Sequence, residues 1–169
     1  WGERTISSMN KKKLTEDIKE QLRALAEVYV EEENPLATFG SWDNVLKLFK
    51  VMEWRTDEYS KKAYKNLPSR VKIYRGICTQ DGDTFHNNLG VSWTTNINIA
   101  KMFALRFTEL GGTAYILESE INKSDIIYFT NKRNESEVIV EPLYLSDYTY
   151  EKLGKFEDLT LVKPMPDYK

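Results

Sequence analysis

The sequence predicts an α+β fold, a helical subregion followed by a β-rich subregion of one domain, on three observations. Apolar residues recur at helical spacing through the first third of the chain. From Pro68 onward, short β-branched or aromatic runs alternate with turn residues. No linker, internal repeat or low-complexity segment separates the two regions. At 169 residues the chain has the length of one domain. We therefore divide it at 9–68 (helical) and 69–169 (β-rich). The chain begins Trp1-Gly2-Glu3-Arg4, whereas Met9-Asn10-Lys11 has the form of a natural start, so residues 1–8 carry no weight in the reading.

Leu14, Ile18, Leu22, Leu25, Ala26, Val28 and Tyr29 stand among charges at the spacing of an amphipathic helix, predicting a first helix over 14–33. Asn34-Pro35 ends it, because the residue before proline is pushed out of the helical region. Ser41 is read as the N-cap of a second helix to about Lys50, and 56–65 as a third, with Tyr59, Ala63 and Tyr64 marking its register. Strands are expected at 71–75, 91–95, 113–121, 125–129, 135–140 and 159–162. One helix interrupts them: Ala100, Phe103, Ala104 and Phe107 follow the i, i+3, i+4, i+7 pattern, Asn96 or Asn98 caps its start, and Gly111-Gly112 closes the segment.

Composition excludes several classes. With 24 basic and 26 acidic residues and net charge -2, no global field favours nucleic acid or an anionic membrane. Lys11-Lys12-Lys13 reads as a solvated helix start. Cys78 is the single cysteine, so neither an internal disulfide nor a cysteine metal cluster can form, and a reducing, cytoplasmic setting fits. His86, the single histidine, reads as a loop residue. No apolar run approaches the ~20 residues that span a bilayer, so no membrane partner is expected. A phosphate loop, a GxGxxG fingerprint and a metal-ligand cluster are all missing, and no metal is expected.

Three short segments carry the chemistry. Tyr74-Arg75-Gly76 places Arg75 on the strand face of Val71 and Ile73, where its guanidinium needs an anion; a protein carboxylate or a ligand phosphate would answer it. Gly76 serves either as a turn or as a place of close ligand approach. Ser92-Trp93-Thr94-Thr95 puts the Ser92 and Thr94 hydroxyls on one face, able to bond a ribose hydroxyl or brace a carboxylate, or to do neither on a half-exposed strand. Glu135-Ser136-Glu137 projects two carboxylates from one side of a strand. In a cleft, one can stabilise an electron-deficient sugar while the other orients or deprotonates an attacking group. Glu118-Ser119-Glu120 repeats the tripeptide, so the motif alone does not locate a site.

In order, these segments resemble the mono-ADP-ribosyltransferases of the arginine, serine, glutamate class, known from bacterial toxins, phage enzymes and vertebrate ectoenzymes. The resemblance covers about 71–142. It implies a split β-sandwich, with 69–169 as an NAD-binding catalytic core. It implies that Arg75, Gly76, Ser92, Thr94 and Glu137 hold NAD as substrate, that Glu137 is the catalytic glutamate and that Glu135 serves the acceptor. Between the two tripeptides, order selects Glu135-Ser136-Glu137, which follows a strand and a polar loop; Glu118-Ser119-Glu120 directly continues the strand after the Ala100 helix. Tyr128, Phe129 and Thr130, with Glu135, fall where the family recognises its target, and Lys132-Arg133 in that loop suits a phosphate. Trp93 and Thr94 depart from the family's usual hydroxyl motif.

The expected activity is transfer of ADP-ribose from NAD to a macromolecular acceptor, a protein arginine before RNA or DNA, with release of nicotinamide. No insertion for self-delivery is present, which suggests a phage enzyme or a toxin of a toxin-antitoxin pair, restrained by an antitoxin or chaperone. The alternatives are an NAD glycohydrolase using the same residues and a non-enzymatic NAD-binding or interaction module.

Overall fold

The computed structural model describes residues 15–32, 34–52, 54–80, 89–106, 108–145 and 147–155. Helix α1 (Glu16–Glu31) starts at Thr15, whose hydroxyl accepts from the Ile18 amide, with Glu16 and Asp17 placed favourably against the helix dipole. Pro35 does more than end it. As a first-turn residue it opens a short helix α2 (Pro35–Phe39), closed by Gly40 at φ 82°. Helix α3 (Trp42–Val51) is capped by Ser41 as the sequence predicts, the hydroxyl accepting from the Asn44 amide at 3.2 Å.

The expected helix over 56–65 shrinks to α4 (Lys61–Lys65). Asp57 accepts from the Ser60 amide at 2.8 Å and holds 57–60 in a turn. Ahead of it, Thr56 bridges in parallel to Phe129, whose amide donates to the Arg55 carbonyl at 2.8 Å. Residues 55–56 thus cover a sheet edge, and edge pairing overrides local helix propensity.

The strands are β1 (Arg70–Thr79), β2 (Ser92–Thr94), β3 (Thr113–Asn122), β4 (Tyr128–Thr130), β5 (Glu137–Ile139) and β6 (Tyr148–Gly154), with α5 (Ile97–Leu105) between β2 and β3. They form one antiparallel six-stranded sheet in the order β4-β5-β2-β1-β3-β6. Strand β1 runs beyond the predicted end at Arg75 because it pairs with β3 along its whole length. Strand β6 was not legible in the sequence: it is an edge strand exposed on both faces, so it lacks the apolar alternation that marks a strand. The strand expected at 159–162 lies outside the described residues, as do Lys11-Lys12-Lys13 and His86.

The junction of β1 and β2 is a single registered pair, Tyr74 with Thr94. It divides the sheet into a wing of short strands (β4-β5-β2) and a wing of long ones (β1-β3-β6). The helical subregion packs on the first wing: Leu22, Tyr29, Phe39, Leu48 and Phe49 share a core with Val91, Tyr128 and Ile139. A second core gathers Val71, Ile73, Trp93, Leu117, Phe129 and Val138. Helix α5 lies on β1 and β3 through Ala100, Ala104, Ala114 and Ile116. Small residues permit a close approach. A Cβ on Gly76 would stand 1.7 Å from the Ala100 carbonyl oxygen, so only glycine fits beneath the helix. No helix among the described residues is long and apolar enough to cross a membrane.

Candidate active site

The cleft opens where the two wings part, against α5. Its two adjoining cavities, each of about 140 Å³, share Ser92, Phe103, Glu135 and Glu137. Arg75, Gly76 and Trp93 line one; Tyr29, Trp42, Arg106 and Arg133 line the other.

Strand pairing sets Glu137 at the centre. It registers with Thr94 on one side and Thr130 on the other, which brings the Ser92 hydroxyl diagonally onto its carboxylate. Ser92 donates to Glu137 Oε1 at 2.7 Å, and Tyr29, from the buried face of α1, donates to the same oxygen at 3.2 Å. Two hydroxyls therefore fix one carboxylate oxygen, while among the described residues Oε2 keeps its lone pairs for another donor. Burial pushes the Glu137 carboxyl above its usual range, and the Ser92 and Tyr29 hydrogen bonds oppose that by favouring the charged form. Burial and the Glu137 charge together raise the Tyr29 phenol well above its ordinary value, which keeps it a donor.

Arg75 follows Val71 and Ile73 on the inward face of β1, and among the described residues it forms no ion pair. One Nη donates to the Ser92 carbonyl at 2.5 Å, while the buried Nε has no hydrogen-bond partner among the described residues. Burial lowers the guanidinium's pKa, and the charges of Tyr29 and Glu137 raise it. A partly buried arginine with a donor unanswered among the described residues suits a ligand anion. Gly90 makes room for it. Its φ is +65°, and a Cβ there would stand 2.5 Å from Arg75 Nη2 and 2.6 Å from Cζ.

Glu135 reaches the cleft by a route the sequence did not predict. It precedes β5, and Ser136 between the two glutamates sits at φ 47°, so strand alternation does not place both carboxylates on one side. The left-handed residue turns the chain instead, held by Asn131 Oδ1 accepting from the Ser136 amide at 3.0 Å and by the Thr95 and Ser136 hydroxyls in contact. Burial raises the Glu135 carboxyl, opposed by the charges of Arg133 and Arg106.

Other expected site residues are placed differently. Thr94 is buried and its hydroxyl is occupied: it donates to the Glu135 carbonyl at 2.6 Å and accepts from the Asn96 amide at 3.1 Å. It braces the Glu135 turn and has no proton left for a ribose. Gly76 lines the cleft, and its lack of a side chain serves the seating of α5.

Tyr128, Phe129 and Thr130 do not form an exposed recognition surface. Phe129 is 1% exposed within the second core, beside Tyr64. Tyr128 stacks on Phe49 and lines a separate cavity of about 500 Å³ with Trp54 and Asp57. Thr130 is buried, its hydroxyl accepting from the Lys132 amide. The exposed part of this loop is Lys132, Arg133 and Asn134. The other Glu-Ser-Glu is on β3, where Glu118 and Glu120 face Lys72 and Arg70 at 3.6 and 2.9 Å, away from the cleft. Tyr29 was missed as a site residue because a tyrosine on the apolar stripe of a helix carries no other signal.

The chain matches no protein-family model, no curated protein sequence and no solved structure.

Proposed function

We propose that this chain is an NAD-dependent mono-ADP-ribosyltransferase whose favoured acceptor is a protein arginine. The observation that carries the reading is the convergence, on one cleft, of a partly buried cation that forms no ion pair among the described residues and a carboxylate held by two hydroxyls, with a second carboxylate beside it. The six strands form one antiparallel sheet, and its single β1–β2 pair puts the cleft where the two wings meet.

In this reading Arg75 binds a phosphate of NAD and Ser92 sets the rotamer of Glu137. The free Glu137 Oε2 accepts from a hydroxyl of the nicotinamide ribose. A carboxylate there opposes the positive charge that develops on the sugar as the C1′–N bond breaks, the bonding pair leaving with nicotinamide and neutralising its ring. Glu135, with a carboxyl raised by burial, accepts the proton the acceptor loses as its nitrogen bonds to C1′. The small cavities hold part of a dinucleotide, since ligand pockets commonly run to about 300–1,000 Å³.

Incubation with labelled NAD and N-acetylarginine amide tests this. Wild type is expected to release nicotinamide and label the guanidine, Glu137→Gln to lose both, and Glu135→Gln to lose transfer while retaining nicotinamide release. Absence of nicotinamide release by wild type refutes the proposal, and release without transfer makes the chain an NAD glycohydrolase.

A further inference from the structure

The separate cavity of about 500 Å³ is built from residues that the proposed reaction does not use. Lys132 lines it, while the next residue, Arg133, lines the cleft. Three carboxylates stand in its wall. Glu27 is paired with Lys132 at 2.9 Å and Glu58 with Lys61. Asp57 forms no ion pair among the described residues: its Oδ1 accepts from the Ser60 amide at 2.8 Å, and its Oδ2 is buried without a hydrogen-bond partner. Thr56 Oγ1, beside it in the chain, is likewise buried and unpartnered.

Tyr128 is the third unanswered group. It is 4% exposed, its ring packs on Phe49, and among the described residues its hydroxyl forms no hydrogen bond. Burial raises the phenol well above its ordinary value, and the charges of Asp57, Glu27 and Glu137 raise it further. Those charges are all negative, and two of the three line the cavity, so the phenol faces an anionic field. Trp54 supplies a second ring. The exposed Arg23 lies over it, 4.7 Å from the centroid, which shows that this wall takes a guanidinium.

We propose that this cavity binds an organic cation, an alkylguanidinium or alkylammonium group, whose charge answers Asp57 and whose stem lies against Trp54 and Tyr128. A carboxylate buried without a counter-charge is costly, and a cation relieves that cost where a phosphate or carboxylate ligand would add to it. Such a group carries only donors, and it meets acceptors with lone pairs to spare in the Tyr128 phenol oxygen and the Asp57 carboxylate. A guanidinium adds a flat face for the rings. The volume falls within the range of small-molecule sites, so it admits the cation together with its stem. The inference stands apart from the transferase reading, since it uses neither NAD nor the cleft.

Calorimetric titration of the whole chain with agmatine, without NAD, tests this. Glu135→Gln is the background, so that a guanidine at the cleft does not contribute, and Asp57→Asn and Tyr128→Phe are each added to it. One saturable site is expected, weakened at least about tenfold by Asp57→Asn, which removes the charge and leaves an oxygen for the Ser60 amide. Tyr128→Phe keeps the ring on Phe49 and should weaken binding severalfold; it decides the matter if urea midpoints show Asp57→Asn to be unfolded. Inorganic phosphate should not compete. N-acetylarginine amide binding more tightly than agmatine supports the site with a protein side chain as its occupant, and the reverse order supports it with a free amine. Absence of saturable agmatine binding, an affinity unchanged in folded Asp57→Asn, or a preference for phosphate overturns the inference. Nicotinamide release by wild type tests the transferase reading separately.

Discussion

Tyr29→Phe isolates the contribution of the helical subregion to the chemistry. It removes one hydroxyl and keeps the ring packed edge-on against Phe39 and Phe49. What is lost is the 3.2 Å donation to Glu137 Oε1. Hydrogen bonds to charged groups contribute about 1.5–3 kcal/mol. This one is long, and Ser92 still donates to the same oxygen at 2.7 Å, so the lower end applies. About 1.5 kcal/mol corresponds to a roughly tenfold loss of rate at neutral pH. The loss should depend on pH. The donor favours the ionised carboxylate, so removing it moves the Glu137 carboxyl further up from a value already raised by burial. The acid limb of nicotinamide release then shifts to higher pH, and the variant recovers toward wild type on the alkaline side. The assay is initial-rate nicotinamide release across pH for wild type, Tyr29→Phe and Ser92→Ala. A uniform loss with an unmoved acid limb would refute the argument and leave Tyr29 as packing only.

Two further outcomes follow from the same geometry. Gly90→Ala places a methyl 2.5 Å from Arg75 Nη2 at a φ of +65°, so besides a backbone cost of about 1–2 kcal/mol it should displace the guanidinium and raise the KM for NAD more than it lowers kcat; an unchanged KM would mean that Arg75 does not contact the dinucleotide. Glu137→Gln should flatten the pH dependence of stability. A carboxyl raised by burial binds its proton more tightly folded than unfolded, so stability is fully present below the ordinary carboxylate value and falls as pH rises through the raised one. Urea midpoints from about pH 4 to about pH 8 should fall less steeply in the variant than in wild type. Glu135 is also raised by burial and retains part of the slope. Parallel curves would show that Glu137 does not titrate as described.

The sequence alone determined the helical start, the Ser41 cap, the strand on which Arg75 follows Val71 and Ile73, and the hydroxyl and carboxylate segments. Those are local properties: caps, periodicity and strand alternation act over a few residues, and the chain spells them out. Only the tertiary structure decided which groups meet. Tyr29 and Glu137 are 108 positions apart, and no local pattern marks a tyrosine on an apolar stripe as a donor to a distant carboxylate. Glu135 and Glu137 share a cleft through the left-handed Ser136 and its anchor on Asn131, where strand alternation alone had suggested it. Phe129 became core and Thr94 became a brace because sheet register, set by long-range pairing, buries them. Arg133 reaches Glu135 because a turn closed by Asn131 folds it back. Residue type supplied the chemical groups; long-range pairing supplied the distances at which they act.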